Sequence, residues 1–271
     1  AEADGGAGLD HLSLALVFEE AGRALLPAPL AATVLAAAAI GGAGSAEQRR
    51  RWLPDLAAGA RIGSVALAEA GTWEPAAVSA TARRDRDGWR LDGAWPHLSW
   101  GGQADVVIAP FRIDPGGALA LFAVAPATAT AGVTIAPEVA IDPTRRAVRL
   151  RLDAVRVPDD ARLDAAGHDA LSVWRDVHRL GWVLLAAEAV GAAEAILART
   201  RTYASERIQF GRPIGSFQAV KHPLVNVMLA VEQARSLVLA AAAALDACAA
   251  QPARAEVAAR MAKAAAGDAL R

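Results

Sequence analysis

The 271-residue chain has a formal net charge of −1 and is 54% apolar, enough to bury a sizeable core and to exclude intrinsic disorder. Acids and bases nearly balance, so no strongly positive face is expected and nucleic acid is not an expected partner. Every apolar run is broken by Arg, Glu, Gly or Pro, which predicts no membrane insertion, and the single cysteine, Cys248, excludes a disulfide framework and any cysteine-based metal site.

No metal site is expected, and a reducing cytoplasm fits best. The opening AEADGGAGLD has no basic segment followed by an apolar stretch, so no secretion signal is expected; without an initiator Met it is compatible with a fragment. From Leu9 to Leu26, Leu12, Leu16, Val17 and Leu25 recur at helical spacing, and Pro27 and Pro29 end the run. A second, Ala-rich helix runs to Ile40, and Ser45 with Gln48 predicts a capping box for a third.

After Gly59 the pattern changes to short runs rich in β-branched and aromatic residues, separated by turns such as Arg86-Asp87-Gly88 and Asp114-Pro115-Gly116-Gly117. Strands are predicted near 62–69, 77–84, 88–95, 104–113, 118–125, 132–138 and 146–157. The last alternates Val148, Leu150 and Leu152 with Arg149, Arg151 and Asp153, which places the aliphatic residues on the core and the charges in water. Beyond Pro158 helical periodicity returns. One long helix spans about Ala170–Ser205, with Val173, Val177, Leu180, Leu184, Val190 and Ile196 as its apolar positions. A second spans Ser216 to about Ala249 with Ser216 as N-cap, and a third starts at Pro252.

The connection between the first two long helices is the most informative stretch. A helical hairpin needs a glycine and a polar turn, yet this one packs Arg207, Gln209, Phe210, Phe217 and Gln218 into a dozen residues. Arginine offers a planar fork of donors to a phosphate or pyrophosphate, the two amides can bond polar ligand edges, and the two rings offer flat apolar surface. Together they suit a dinucleotide, although a purely structural turn fits the spacing equally well.

The run R-x-Q-F-G-x-P-I-x-x-F-Q at 207–218, followed by Lys221-His222, resembles the signature of the acyl-CoA dehydrogenase family. So do Gly5-Gly6-Ala7-Gly8-Leu9-Asp10, Phe18-Glu19-Glu20-Ala21-Gly22-Arg23, Gly44-Ser45-Ala46-Glu47-Gln48 through Pro54, Asp142-Pro143-Thr144-Arg145 and Val155-Arg156-Val157-Pro158. The resemblance runs the length of the chain. It implies an α+β multidomain fold: N-terminal helices at 1–60, a middle antiparallel β-barrel-like domain at 61–160 and a C-terminal helical bundle at 161–271, both helical domains incomplete.

It also implies FAD as cofactor, an acyl-CoA substrate, electron-transfer flavoprotein as electron acceptor, and a homo- or hetero-oligomer, dimer or tetramer. Arg207, Gln209, Phe210, Phe217 and Gln218 would then serve the FAD pyrophosphate region, on the FAD of a neighbouring subunit. In the β domain, backbone groups of Leu67 and Ala68 would meet the flavin's pyrimidine edge. His97-Leu98-Ser99 matches a second flavin motif, with the Ser99 hydroxyl near flavin N5.

Departures from the family pattern matter as much. Ala68-Glu69-Ala70 replaces the usual T-E-P, and the G-S-D that follows it is missing, which puts the acyl-CoA contacts in doubt. His97 stands where Trp is common and is assigned no catalytic role. The family takes its base from one of two places: one, on the first long helix, falls at Gly181, and the other lies after the third C-terminal helix, beyond a Gly-Gly motif that the sequence does not reach; Asp176 and Glu188 lie off the first position, so no catalytic residue is assigned. The family's CoA contacts on that helix fall at His178, Arg179 and Trp182, where Arg179 reads as an ordinary surface arginine, while Cys248 reads as a small buried apolar residue. Two readings follow: an FAD-dependent acyl-CoA dehydrogenase, or a non-catalytic partner subunit of a heteromeric one. Oxidase or monooxygenase chemistry on the same fold is a third.

Overall fold

The computed structural model describes residues 2–69, 74–126, 131–163 and 167–270. They form two compact units. The first holds the residues up to Gly8 together with Pro27–His178, and the second Leu9–Leu26 together with the residues from Arg179 onward.

In the first unit, helix α2 (Leu30–Ala43) and helix α3 (Ala46–Ala57) flank the capping box: Ser45 Oγ accepts the Gln48 N–H, and the Gln48 carboxamide accepts the Ser45 N–H. The buried face of α2 is small, with Ala36 and Ala39 fully covered, so a strand can approach its backbone. Strand β1 (Gly63–Val65) does so at Gly63, where a Cβ would stand 2.6 Å from the Ala36 methyl.

The sheet continues through β2 (Thr81–Asp85), β3 (Gly88–Ser99), β4 (Val106–Asp114), β5 (Leu119–Val124), β6 (Val133–Pro137) and β7 (Ala147–Pro158), in the order β1-β4-β2-β3-β7-β6 with β5 on the other edge of β4. The sheet is mixed, not wholly antiparallel: β4 runs parallel to both β1 and β2, while the β2–β3, β3–β7, β4–β5 and β6–β7 pairs are antiparallel. Direction is invisible to hydrophobic periodicity, which reports only which face a residue takes. The alternation along β7 is as expected, with Val148, Leu150 and Leu152 inside and Arg149, Arg151 and Asp153 outside. A chain of edge-to-face rings fills the interior: Trp95 on Phe111 at 5.2 Å, Phe111 on Phe122 at 5.3 Å and Phe122 on Trp89 at 5.5 Å between centroids.

The second unit is helical. Helix α1 (His11–Arg23) is capped by Asp10, which accepts the Ser13 N–H at 2.8 Å. Its buried face is not the leucine stripe that periodicity suggests. Leu12, Leu16, Val17 and Leu25 are exposed, and Ala15, Phe18, Glu19 and Gly22 face inward. Small residues let α1 press onto helix α4 (Ala170–Glu206), whose residues from Arg179 onward belong to this unit. A Cβ on Gly22 would fall 1.9 Å from the Glu188 carbonyl oxygen, and one on Gly191 would fall 1.8 Å from that of Glu19. Among the predicted apolar positions of α4, Ile196 is exposed.

Helix α5 (Gln218–Asp246) starts two residues later than expected. Ser216 lies in a 3-10 turn, and the N-cap is Phe217, which makes no side-chain cap. Helix α5 packs on α6 (Pro252–Ala269) through fully buried alanines, among them Ala241, Ala242, Ala259 and Ala262. By length and composition alone, α4 and α5 are apolar enough to cross a membrane, although Gly181, Glu188, Gly191 and Glu194 interrupt the apolar run of α4; 56% of the apolar window of α4 and 33% of that of α5 is buried in the protein.

Candidate functional site

In the first unit, the candidate residues lie on two segments. Glu69 is buried, and its carboxylate accepts the N–H of Ser79 (2.9 Å), the N–H of Ala80 (3.4 Å) and the hydroxyl of Ser79, which fastens the stretch after β1 to the approach to β2. Leu67 and Ala68, half-buried, precede this anchor. The Leu67 N–H donates to the Val65 carbonyl at 3.0 Å, and its own carbonyl lies 3.1 Å from His178 Nε2. The buried His178 ring sits between that oxygen and the carbonyl of Trp174, 2.9 Å from Nδ1, with its edge on the Trp174 ring.

The second segment is the end of β3. The register with β7 shifts between Trp95 and Leu98, and the bulge places His97 at φ 56° with its side chain in solvent. Glu138, at the end of β6, accepts the His97 main-chain N–H at 2.9 Å, and the same Oε2 lies 2.6 Å from His97 Nδ1. Glu138 was missed in the sequence: it lies 41 residues from His97 and no local spacing joins the two. Ser99 is exposed; its carbonyl accepts the Ser64 hydroxyl at 2.7 Å, and its own hydroxyl has no partner among the described residues.

In the second unit, the stretch between α4 and α5 is a two-stranded hairpin, β8 (Ile208–Gln209) with β9 (Arg212–Pro213). Phe210 and Gly211, at φ 52° and 77°, are both left-handed, the requirement of the tight turn that matches strand twist. The Ile214 N–H closes back on the Arg207 carbonyl at 2.9 Å. Phe210 meets Phe217 edge-on at 6.1 Å, and the Arg212 guanidinium covers the Phe217 ring at 4.1 Å. Arg207, Gln209, Phe210 and Gln218 are exposed and Phe217 half-buried. The side chains of Arg207, Gln209 and Gln218 make no hydrogen bond or ion pair among the described residues. The five sequence-predicted residues of this stretch therefore share one hairpin and the helix start that follows it.

The other candidates on α4 come out differently. Arg179 is not a surface residue: it is buried, donates to Glu256 at 2.9 Å and reaches Cys248 Sγ at 3.4 Å. Burial alone would raise the Glu256 pKa, but the hydrogen bonds from Arg260 and Arg179 hold it below the usual glutamate range. Cys248 is accordingly a half-buried hydrogen-bond acceptor rather than an apolar filler. Trp182 lies under the Arg260 guanidinium at 4.6 Å. Gly181 is buried and brings no carboxylate to its position.

Residues 1–60 match the family model "Acyl-CoA dehydrogenase, N-terminal domain", and residues 179–271 match "Acyl-CoA dehydrogenase, C-terminal domain". The short-chain specific acyl-CoA dehydrogenase of Homo sapiens mitochondria is 32% identical over 245 residues, 88% of this chain and 59% of its own length. The chain thus spans well under two thirds of the length of that relative. Among solved structures, a steroid ACAD (acyl-CoA dehydrogenase), Tcur3481-Tcur3483, superposes with a TM-score of 0.83 at 34% identity, over 99% of this chain and 69% of that one. A glutaryl-CoA dehydrogenase from Mycobacterium smegmatis in complex with FADH2 gives 0.82 at 25% identity, over 97% and 69%. The helices, mixed sheet and signature hairpin of this chain therefore make it a member of the acyl-CoA dehydrogenase family.

Proposed function

We propose that the chain binds FAD and takes part in the α,β-dehydrogenation of an acyl-CoA thioester, with electrons passing to an electron-transfer flavoprotein. The observation that carries this reading is the unpaired donor set of the hairpin. Arg207, Gln209 and Gln218 are exposed beside the Phe210–Phe217 pair, and their side chains make no hydrogen bond or ion pair among the described residues. Exposed arginine and glutamine are solvated at little cost to the fold, and a dinucleotide takes all three chemistries of this hairpin at once. The guanidinium bonds the pyrophosphate, the amides bond polar edges, and the rings cover apolar surface. The Ser99 hydroxyl in the β domain, unpaired among the described residues, suits a ring nitrogen of a flavin. FAD, when bound, supplies the acceptor for the hydride that leaves the substrate β-carbon.

Of this chain's residues, Arg207, Gln209, Phe210, Phe217 and Gln218 hold the nucleotide, on the FAD of an adjoining subunit, and Ser99 orients the flavin. A second reading is favoured by Gly181. With no carboxylate at that position, the α-proton is removed by a residue outside residues 1–271 or by a second chain. The protein would then be a partner subunit contributing to a shared FAD site, and the steroid relative supports that alternative.

The test is to load the full protein with FAD, exclude oxygen, add saturated acyl-CoAs of several chain lengths and follow the flavin's visible band. Bleaching by the protein alone supports the self-sufficient dehydrogenase. A band that bleaches only after a second chain is supplied supports the partner subunit. Failure to take up FAD under either condition sinks both.

A further inference from the structure

His97 has the wrong surroundings for a structural residue. Its side chain is 78% exposed, so it fills no core, and its backbone sits at φ 56°, a left-handed conformation strained for a non-glycine residue. The bulge between Trp95 and Leu98 turns it outward, and buried Leu98 separates it from Ser99, so His97 and Ser99 are exposed on either side of one core residue. The imidazole is nevertheless held firmly. Glu138, with its side chain only 13% exposed, engages both the His97 N–H and Nδ1 through one oxygen. Its other oxygen, Oε1, makes no hydrogen bond but lies 3.2 Å from the Arg149 guanidinium.

A carboxylate oxygen accepting at Nδ1 places the ring proton there and leaves the Nε2 lone pair facing outward. Glu138 from the end of β6, and Arg149 of β7 behind it, are the charged groups packed against the ring; on β3 no charged residue stands between Asp92 and His97. The result is an exposed base with a fixed tautomer, two residues from a free serine hydroxyl.

We infer that His97 and Glu138 form an acid–base dyad serving the flavin bound at Ser99, an inference that rests on the FAD reading above. A hydride brings two electrons and one proton to the flavin and leaves it with one added negative charge. His97 Nε2 takes one proton from water at the same time, so the imidazolium offsets that charge. On reoxidation by an electron-transfer flavoprotein, two electrons and the hydride's proton would leave the cofactor, and His97 Nε2 would return its own proton to water. Histidine is the side chain whose charge changes across the physiological range.

Two measurements test this. In the FAD-free protein, 15N spectra of the histidine side chains are expected to show His97 as the single Nδ1–H tautomer at alkaline pH, and as a tautomer mixture in Glu138→Gln. An Nε2–H tautomer in the parent would overturn the inference, because the outward nitrogen would then have no lone pair. In the FAD-loaded protein, the flavin midpoint potential is compared between the parent and His97→Gln across about pH 5.5 to 9. The parent is expected to lie above the variant at the acid end and to converge with it at the alkaline end. A difference that stays constant with pH overturns the dyad and leaves the FAD reading standing. Absence of FAD uptake by the parent removes both. Should His97→Gln fail to fold, Glu138→Gln takes its place in the potential series, where the same constancy decides against the inference.

Discussion

Two arginine-bearing regions of the helical unit show opposite economies. Where α1, α4 and α5 meet, every charge has a partner. Arg235 donates to Glu19 (2.9 Å), Glu232 (2.5 Å) and Glu194, and Arg23 donates to Glu194 (2.7 Å) and Glu20 (3.2 Å). On the hairpin between α4 and α5, Arg207 and its two glutamines have none among the described residues, though the same chain supplies carboxylates nearby in sequence, such as Glu206. Saturated polar groups hold a fold in one geometry. Unsaturated ones, kept at a sharply built turn, are available to something else.

The first way to break this contrast is at the helix crossing. Gly22→Ala or Gly191→Ala puts a methyl group into a main-chain carbonyl, and neither backbone can yield without moving a helix. Each substitution is expected to lower stability by about 3 kcal/mol, read as the shift in urea midpoint. A variant that unfolds with the parent would mean the crossing is looser than it stands.

Next comes the ion network. Arg235→Ala leaves Glu19 buried and Glu194 half-paired, at a loss of about 2–3 kcal/mol after allowing for partial exposure. The Arg23 hydrogen bond, reinforced by Arg235, holds the Glu194 pKa below the ordinary 4.5. A depressed carboxylate stabilises the fold above its unfolded value and loses that contribution as the pH falls through its folded value. Urea midpoints should therefore decline below pH 4.5, and decline less steeply in Arg235→Ala. An acid slope unchanged by the substitution would place the titration elsewhere.

The hairpin should answer in the other currency. Arg207→Ala and Gln218→Ala remove exposed, unpaired groups, so stability is expected to move by less than about 0.5 kcal/mol. FAD affinity is expected to fall tenfold or more for the arginine, consistent with about 1.5–3 kcal/mol for a hydrogen bond to a charged group, and by less for the amide. Fluorescence titration with FAD checks both. Equal loss of stability and affinity would show that the hairpin is structural after all.

What could be read from the sequence follows the range of each interaction. The Ser45–Gln48 box, the alternation of β7 and the surplus of Arg, Gln and Phe at 207–218 are local patterns, and the structure keeps them. The buried face of α1 was misread because Gly22 and Ala15 bury backbone rather than large side chains, which leaves the leucines outside. Ser216 was misread as a cap because nothing local reveals that a 3-10 turn precedes α5. The parallel pairing of β4, the Arg179–Glu256 pair and the Glu138 carboxylate under His97 join residues far apart in the chain, and periodicity carries no trace of them.

The smallest effect expected is the most discriminating. Phe210 occupies the first left-handed position of a two-residue turn, where asparagine before glycine is the favoured pair and a bulky ring is strained. Its ring is 91% exposed and touches Phe217 only edge-on, so packing returns little of that strain. If the phenylalanine is there only to make the turn, Phe210→Asn should improve stability and leave FAD affinity alone. If it is there to cover a nucleotide, the same substitution should raise stability by a few tenths of a kcal/mol, roughly the scale of relieving one strained residue, while weakening FAD. Thermal melts and FAD titration on this one variant therefore measure, with opposite signs, what the hairpin gives up in stability and what it gains in binding.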